Sequence, residues 1–173
     1  MVLGDSLVKH LPHQFVDWAD VTVRSYRGYH VQDLTALLAY DFKESEWVNV
    51  TGVALLIGTN DLKSLSVEAF KLKYKALVQI IRARLGGVNI VLFGFPPRPK
   101  DHSNWGWKAI AFNKAIKDIA SELRVLHHPL YKACLYKGQP VDRFFLEDGL
   151  HLSYEGVKLL AKVVKMYRAE FLK

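Results

Sequence analysis

The chain has 173 residues, half of them hydrophobic and 24% charged, the size and balance of one soluble globular domain rather than a disordered segment. No apolar run approaches the roughly 20 residues of a membrane span, and Met1-Val2-Leu3 leads straight into Gly4-Asp5-Ser6 without the regions of a signal peptide. We therefore expect no transmembrane segment and a cytoplasmic location. A lone cysteine, Cys134, excludes an internal disulfide and any multi-cysteine metal site. The formal charge of +7 favours anionic partners such as nucleic acid, an anionic membrane surface or an anionic substrate, although its scatter equally suits a solubilising surface.

In chain order, Val2-Leu3 forms a very short first strand running into Gly4, and Val21-Thr22-Val23-Arg24-Ser25-Tyr26 a second. A helix pattern follows over residues 31–40, apolar at Val31, Leu34, Leu37 and Leu38. Val53-Ala54-Leu55-Leu56-Ile57, ended by Gly58, is the third strand. The next helix covers 66–85, with Ser66 as a possible N-cap and Gly86-Gly87 as its stop. Asn89-Ile90-Val91-Leu92-Phe93 is the fourth strand, ended by Gly94 and Pro96-Pro97, and helix patterns over 105–123 and 154–172 flank a weaker fifth strand at 125–128. Strands three and four are continuously apolar, as strands covered on both faces must be. Repeated strand–helix alternation predicts an α/β fold, a parallel sheet with helices on both faces, in one domain over 1–173.

In such sheets, sites form beyond the carboxyl ends of the strands. Gly4-Asp5-Ser6, Arg27-Gly28, Gly58-Thr59-Asn60-Asp61 and, before the last helix, Asp148-Gly149-Leu150-His151 can all reach one rim. Ester hydrolysis needs a nucleophile, a base, a group to orient the base, and donors for the oxyanion. Ser6, at a strand-to-helix turn, can be the nucleophile. His151 can be the base, since an imidazole of ordinary pKa about 6.5 works near neutrality, and Asp148 can fix its tautomer. The Ser6 and Gly28 backbone N–H groups and the Asn60 amide can bind the oxyanion. Each has a plainer alternative: Ser6 a helix cap, His151 a hydrogen-bonded loop histidine, Asn60-Asp61 and Asp148-Gly149 turns, and Gly28 a turn glycine.

These blocks, in this order, resemble the SGNH (GDSL-type) hydrolase superfamily: Gly4-Asp5-Ser6-Leu7, Gly28, Gly58-Thr59-Asn60-Asp61 and Asp148-Gly149-Leu150-His151, with softer likenesses at Phe95-Pro96-Pro97 and Phe112-Asn113. The resemblance implies a flavodoxin-like three-layer α/β/α sandwich with a five-stranded parallel sheet. It implies Ser6, Asp148 and His151 as catalytic residues, Ser6, Gly28 and Asn60 as the oxyanion hole, and no metal or cofactor. The short first strand suggests a domain excised from a longer protein. The opening Val-Leu-Gly-Asp-Ser-Leu-Val-Lys-His-Leu and the basic charge also resemble the esterase domain of LINE-type (CR1/L2-like) retrotransposon first-open-reading-frame proteins.

Tyr29, Arg98 and Phe145 are the chief substrate-side candidates, with His30, Trp105, Trp107 and Phe144 as further ones. The expected substrate is a small acyl ester or lipid. The alternative is a module that keeps the fold but binds lipid, glycan or nucleic acid. A nucleotide- or flavin-binding protein is disfavoured, because no G-x-G-x-x-G or P-loop follows the first strand.

Overall fold

Five parallel strands, β1 (Val2–Gly4), β2 (Val23–Ser25), β3 (Gly52–Leu56), β4 (Asn89–Phe93) and β5 (Leu126–His128), form one sheet in the order β2-β1-β3-β4-β5. The computed structural model describes residues 1–41 and 43–171. The helices are α1 (Val31–Tyr40), α2 (Val67–Leu85), α3 (His102–Glu122), the single turn α4 (Leu130–Ala133) and α5 (Tyr154–Phe171). The expected last helix included Leu172, and the expected domain also Phe42 and Lys173; these three lie outside the described residues.

The apolar segments form the sheet interior because nearly every position is covered on both sides. β3 is buried throughout, and β4 is buried after Asn89. On one face α1, α2 and α3 pack side by side; on the other α5 lies against β3, β4 and the 3-10 turn at Leu11–Gln14. Phe70 of α2 stacks on Phe112 of α3 with centroids 4.0 Å apart. This is the α/β/α sandwich expected, but the second strand is only Val23–Ser25 of the expected 21–26, the turn α4 was not expected, and three further details differ. No α-helix follows β1, where two 3-10 turns, Ser6–Val8 and Leu11–Gln14, lead toward β2. The third helix starts at His102 rather than 105, its first turn being polar. A two-stranded hairpin, β6 (Leu135–Tyr136) with β7 (Gln139–Pro140), was not expected.

Strand order reverses between β1 and β3, so the loops after these two strands flank the topological switch point where such sheets hold their sites. Register brings them level, Gly4 pairing with Leu56 of β3 and Ser25 of β2. The strand end is tightly closed: a Cβ on Gly4 would stand 2.3 Å from the Leu56 carbonyl oxygen and 2.9 Å from Val8. Neither neighbour has room to give, since both are fully buried. We expect Gly4→Ala to destabilise the fold by about 1–3 kcal/mol, measured by urea unfolding; an unchanged midpoint would refute this close packing.

Candidate active site

The chain turns out of β1 through Asp5, whose backbone is extended and whose side chain caps the 3-10 turn opened by Ser6. Asp5 is fully buried. Its Oδ1 accepts from the Leu7 N–H at 3.0 Å, and the carboxyl group faces the N–H groups of Gly58 and Thr59 although, among the described residues, Oδ2 closes no hydrogen bond. Burial therefore outweighs these donors and pushes its pKa up to about 7. Cap duty thus falls to Asp5, leaving the hydroxyl of the partly buried Ser6 free for another partner.

That hydroxyl meets the loop before α5. His151 Nε2 lies 3.1 Å from Ser6 Oγ, and His151 Nδ1 lies 2.6 Å from Asp148 Oδ2. The other Asp148 oxygen accepts from the Leu150 and His151 N–H groups, each at 2.9 Å. The bond to the His151 ring, then those two N–H donors, hold the Asp148 carboxyl down at about 2, so it is ionised at neutral pH. Because that value lies below the ordinary 3.8, its stabilisation is present above about pH 4 and is lost as pH falls toward 2. Asp148 and His151 remain accessible, with side chains 44% and 36% exposed.

The loop is closed by a bridge between Phe145 and Leu152, by the Leu146 N–H donating to the His151 carbonyl at 2.9 Å, and by the Lys100 N–H donating to the Gly149 carbonyl at 3.2 Å. Gly149 has φ +60°, and a Cβ there would lie 2.7 Å from the Lys100 nitrogen, so only glycine permits this docking.

Across the switch point, Asn60 Nδ2 donates to the Tyr29 carbonyl at 2.9 Å, which spends one of its two N–H groups and joins the Asn60 and Gly28 loops. Gly28 sits in the turn closed by Tyr29 N–H to Tyr26 O, 3.2 Å, beside the Tyr26 N–H bond to Gly4 O, 2.8 Å. Asp61, nearly fully buried, accepts from the Val31 N–H at 3.0 Å and contacts His30 Nδ1 at 3.2 Å. It thereby fixes the start of α1 against the same loop; burial raises its pKa.

The structure thus brings Ser6, Asp148 and His151 together, with Gly28 and Asn60 on neighbouring loops. The substrate-side candidates fall differently. Tyr29 stacks on Tyr26 with centroids 5.1 Å apart. Arg98 is engaged internally, donating to the Thr59 carbonyl at 3.0 Å and to Asp101 at 2.8 Å. Phe145 is buried in the core beside a groove of about 500 Å³ that also borders Asp148 and Gly149. His30 is held by Asp61. Asp5 and Asp61 also build the site, although the sequence shows them only as the neighbour of Ser6 and as a turn residue: Asp5 faces Gly58 and Thr59, and Asp61 holds His30 and Val31, all far away in sequence. Among the described residues no cluster of three or more His, Cys, Asp or Glu is arranged to hold a metal, and no helix is long and apolar enough to cross a membrane.

Sheet order, layers and loop placement define the SGNH hydrolase type of α/β/α fold. Residues 2–159 match the GDSL-like Lipase/Acylhydrolase family, and the chain belongs to that family of hydrolases. No curated protein matches the sequence. A Streptococcus pneumonia protein proposed as a platelet activating factor superposes with TM-score 0.81 at 28% identity, over 96% of this chain and 81% of its own. A proposed acylhydrolase from Bacteroides fragilis reaches 0.81 at 14% identity, over 99% and 86%. A variant of the acetyl-xylooligosaccharide esterase from Geobacillus Stearmophilus reaches 0.71 at 16%, over 95% and 91%. The last two likenesses speak to the fold alone.

Two predictions follow from the supports of the site. The raised Asp5 pKa means that the folded state prefers the neutral carboxyl, so its contribution is full below about pH 4 and declines as pH rises toward 7. The thermal midpoint of wild type relative to Asp5→Asn, which cannot ionise, should fall across that interval; a flat difference would count against the burial argument. Arg98→Ala should leave the Thr59 carbonyl without its donor and Asp101 with Lys63 alone, and cost about 1–3 kcal/mol in denaturant melts, whereas a pure substrate contact would change KM and leave the melt alone.

Proposed function

We propose that this protein is a serine esterase acting on acetyl or other short acyl esters through an acyl-enzyme. The supporting observation is the continuous hydrogen-bonded line from Ser6 Oγ through His151 Nε2 and Nδ1 to Asp148, in a chain of a lipase and acylhydrolase family. In the proposed reaction Ser6 Oγ attacks the ester carbonyl carbon while His151 Nε2 takes the hydroxyl proton. Asp148, ionised, stabilises the imidazolium and holds its tautomer. The oxyanion is bound by the Ser6 and Gly28 N–H groups and by the Asn60 amide proton not spent on Tyr29. As the tetrahedral adduct collapses, the C–O bond breaks and His151 returns the proton to the departing alkoxide. Water then attacks the acyl-enzyme with His151 again as base, releasing the acid and Ser6. The relatives named as an acylhydrolase and as an acetyl-xylooligosaccharide esterase fit a substrate of this class.

A second reading, a binding module for an anionic surface or nucleic acid, is favoured by the net charge of +7. Salt-sensitive retention on RNA or anionic vesicles that persists in Ser6→Ala would support it. The likeness to a retrotransposon esterase domain rests on the opening sequence and charge alone, and carries no part of either reading.

The esterase reading is tested with p-nitrophenyl acetate and longer p-nitrophenyl esters. Ser6→Ala and His151→Ala should each lose about 10⁴-fold or more in kcat, Asp148→Asn less than His151→Ala, and Asn60→Ala about 10²–10³-fold. Equal hydrolysis by wild type and Ser6→Ala would overturn the assignment.

A further inference from the structure

A second cleft, of about 230 Å³, lies away from Ser6, between α3 and the β5–α4 corner. Ile110, Pro129 and the Tyr131 ring supply apolar wall. Three lysines, Lys114, Lys117 and Lys132, also line it; all are exposed, and no acidic residue is among the lining. Among the described residues none of the three side chains makes an ion pair or hydrogen bond. The field of Lys117 reaches His127, whose pKa is lowered first by burial and then by its neighbours His128 and Lys117, so the imidazole there is neutral.

The wall also holds polar atoms without partners. Tyr131 is 7% exposed and its hydroxyl, enclosed just behind the wall, has no hydrogen-bond partner among the described residues; the same is true of His127 Nε2 and of Asn113 Oδ1. Buried polar groups in folded proteins are nearly always paired, and those left over call for an explanation. Here an apolar hollow and three unneutralised cations meet, with two unpaired groups that can donate, the Tyr131 hydroxyl and His127 Nε2 in its protonated tautomer, just behind the wall. An oxygen-bearing anion with a hydrocarbon body answers all three features: the body covers the apolar wall, the charge meets the lysines, and its oxygens can pair the tips after a small side-chain shift. The volume, about that of eight water molecules in the liquid, suits a short chain or a single ring.

We propose that the cleft between α3, β5 and α4 is a binding site for a small apolar carboxylate, separate from the centre at Ser6. The assignment does not depend on the esterase reading, and its test uses a protein in which that centre is disabled. Sodium octanoate is titrated into Ser6→Ala by calorimetry at low salt, with the Ile110 methyl resonance followed in parallel. Saturable binding that shifts the Ile110 methyl is expected, with octanol, which lacks the charge, at least about tenfold weaker. Lys114→Ala combined with Lys117→Ala should weaken octanoate by about tenfold or more, and Tyr131→Phe should weaken it while leaving the Lys residues in place. The surface lysine variants are chosen because neither residue supports the core. Absence of saturation, or affinity unchanged in the double lysine variant and in Tyr131→Phe, would overturn the site. Binding to phosphatidylglycerol vesicles without binding to octanoate would also overturn it, assigning the lysines to a lipid surface instead of a free acid.

Discussion

The geometry around Ser6 depends on a carboxyl group carried into the protein interior. Asp5 leaves β1 with its side chain completely enclosed, where an ionised acid would be expensive to keep. The surroundings reduce that cost in two ways. The Leu7 N–H closes a hydrogen bond to it, and the rise of its pKa to about 7 keeps much of the group neutral under ordinary conditions. In return the chain gains a cap for the 3-10 turn that does not use the serine hydroxyl. With Asp5 as the cap, the Ser6 Oγ is left to meet His151.

The remaining loops are tied to this centre by a small set of long-range polar contacts. Asp61 clasps the first turn of α1, Asn60 holds the Tyr29 carbonyl, and Arg98 bridges the loop after β4 to the Thr59 carbonyl. Each joins segments that follow different strands, so the rim of the sheet is stiffened crosswise where the strands themselves have ended. Loops built this way can present donors in fixed positions, which matters because preorganised donors stabilise developing charge without reorganising.

These ties explain which parts were legible in the sequence. The sheet was, because β3 and β4 announce double-sided burial by unbroken apolar runs. The Asp148–His151 pairing was, because acid and base stand three residues apart and their contact is local. Asp61 was visible only as a turn residue, since its partners at His30 and Val31 are about thirty positions away and no periodicity marks them. Arg98 offered a loop cation and looked like a substrate contact; its engagement with Asp101 and Thr59 depends on the tertiary fold. The β6–β7 hairpin escaped because its turn, Lys137-Gly138, carries only half of the usual Asn-Gly or Asp-Gly signal, with Lys137 taking the left-handed conformation.

The exposed position of Asp148 bears on how it can act. With 44% of its side chain open to solvent, Coulombic attraction to a protonated His151 is weakened by water and by salt. Its depressed pKa reflects this, since hydrogen bonds to the ring and to two backbone N–H groups come before the charge of His151 among its causes. The acid is therefore suited to fixing the tautomer and direction of the imidazole more than to supplying a strong field. In the proposed reaction most of the electrostatic stabilisation would then come from the other side of the reacting carbonyl, from the loops of Gly28 and Asn60, which the contacts of Asn60 with the Tyr29 carbonyl and of Asp61 with the Val31 N–H hold in place.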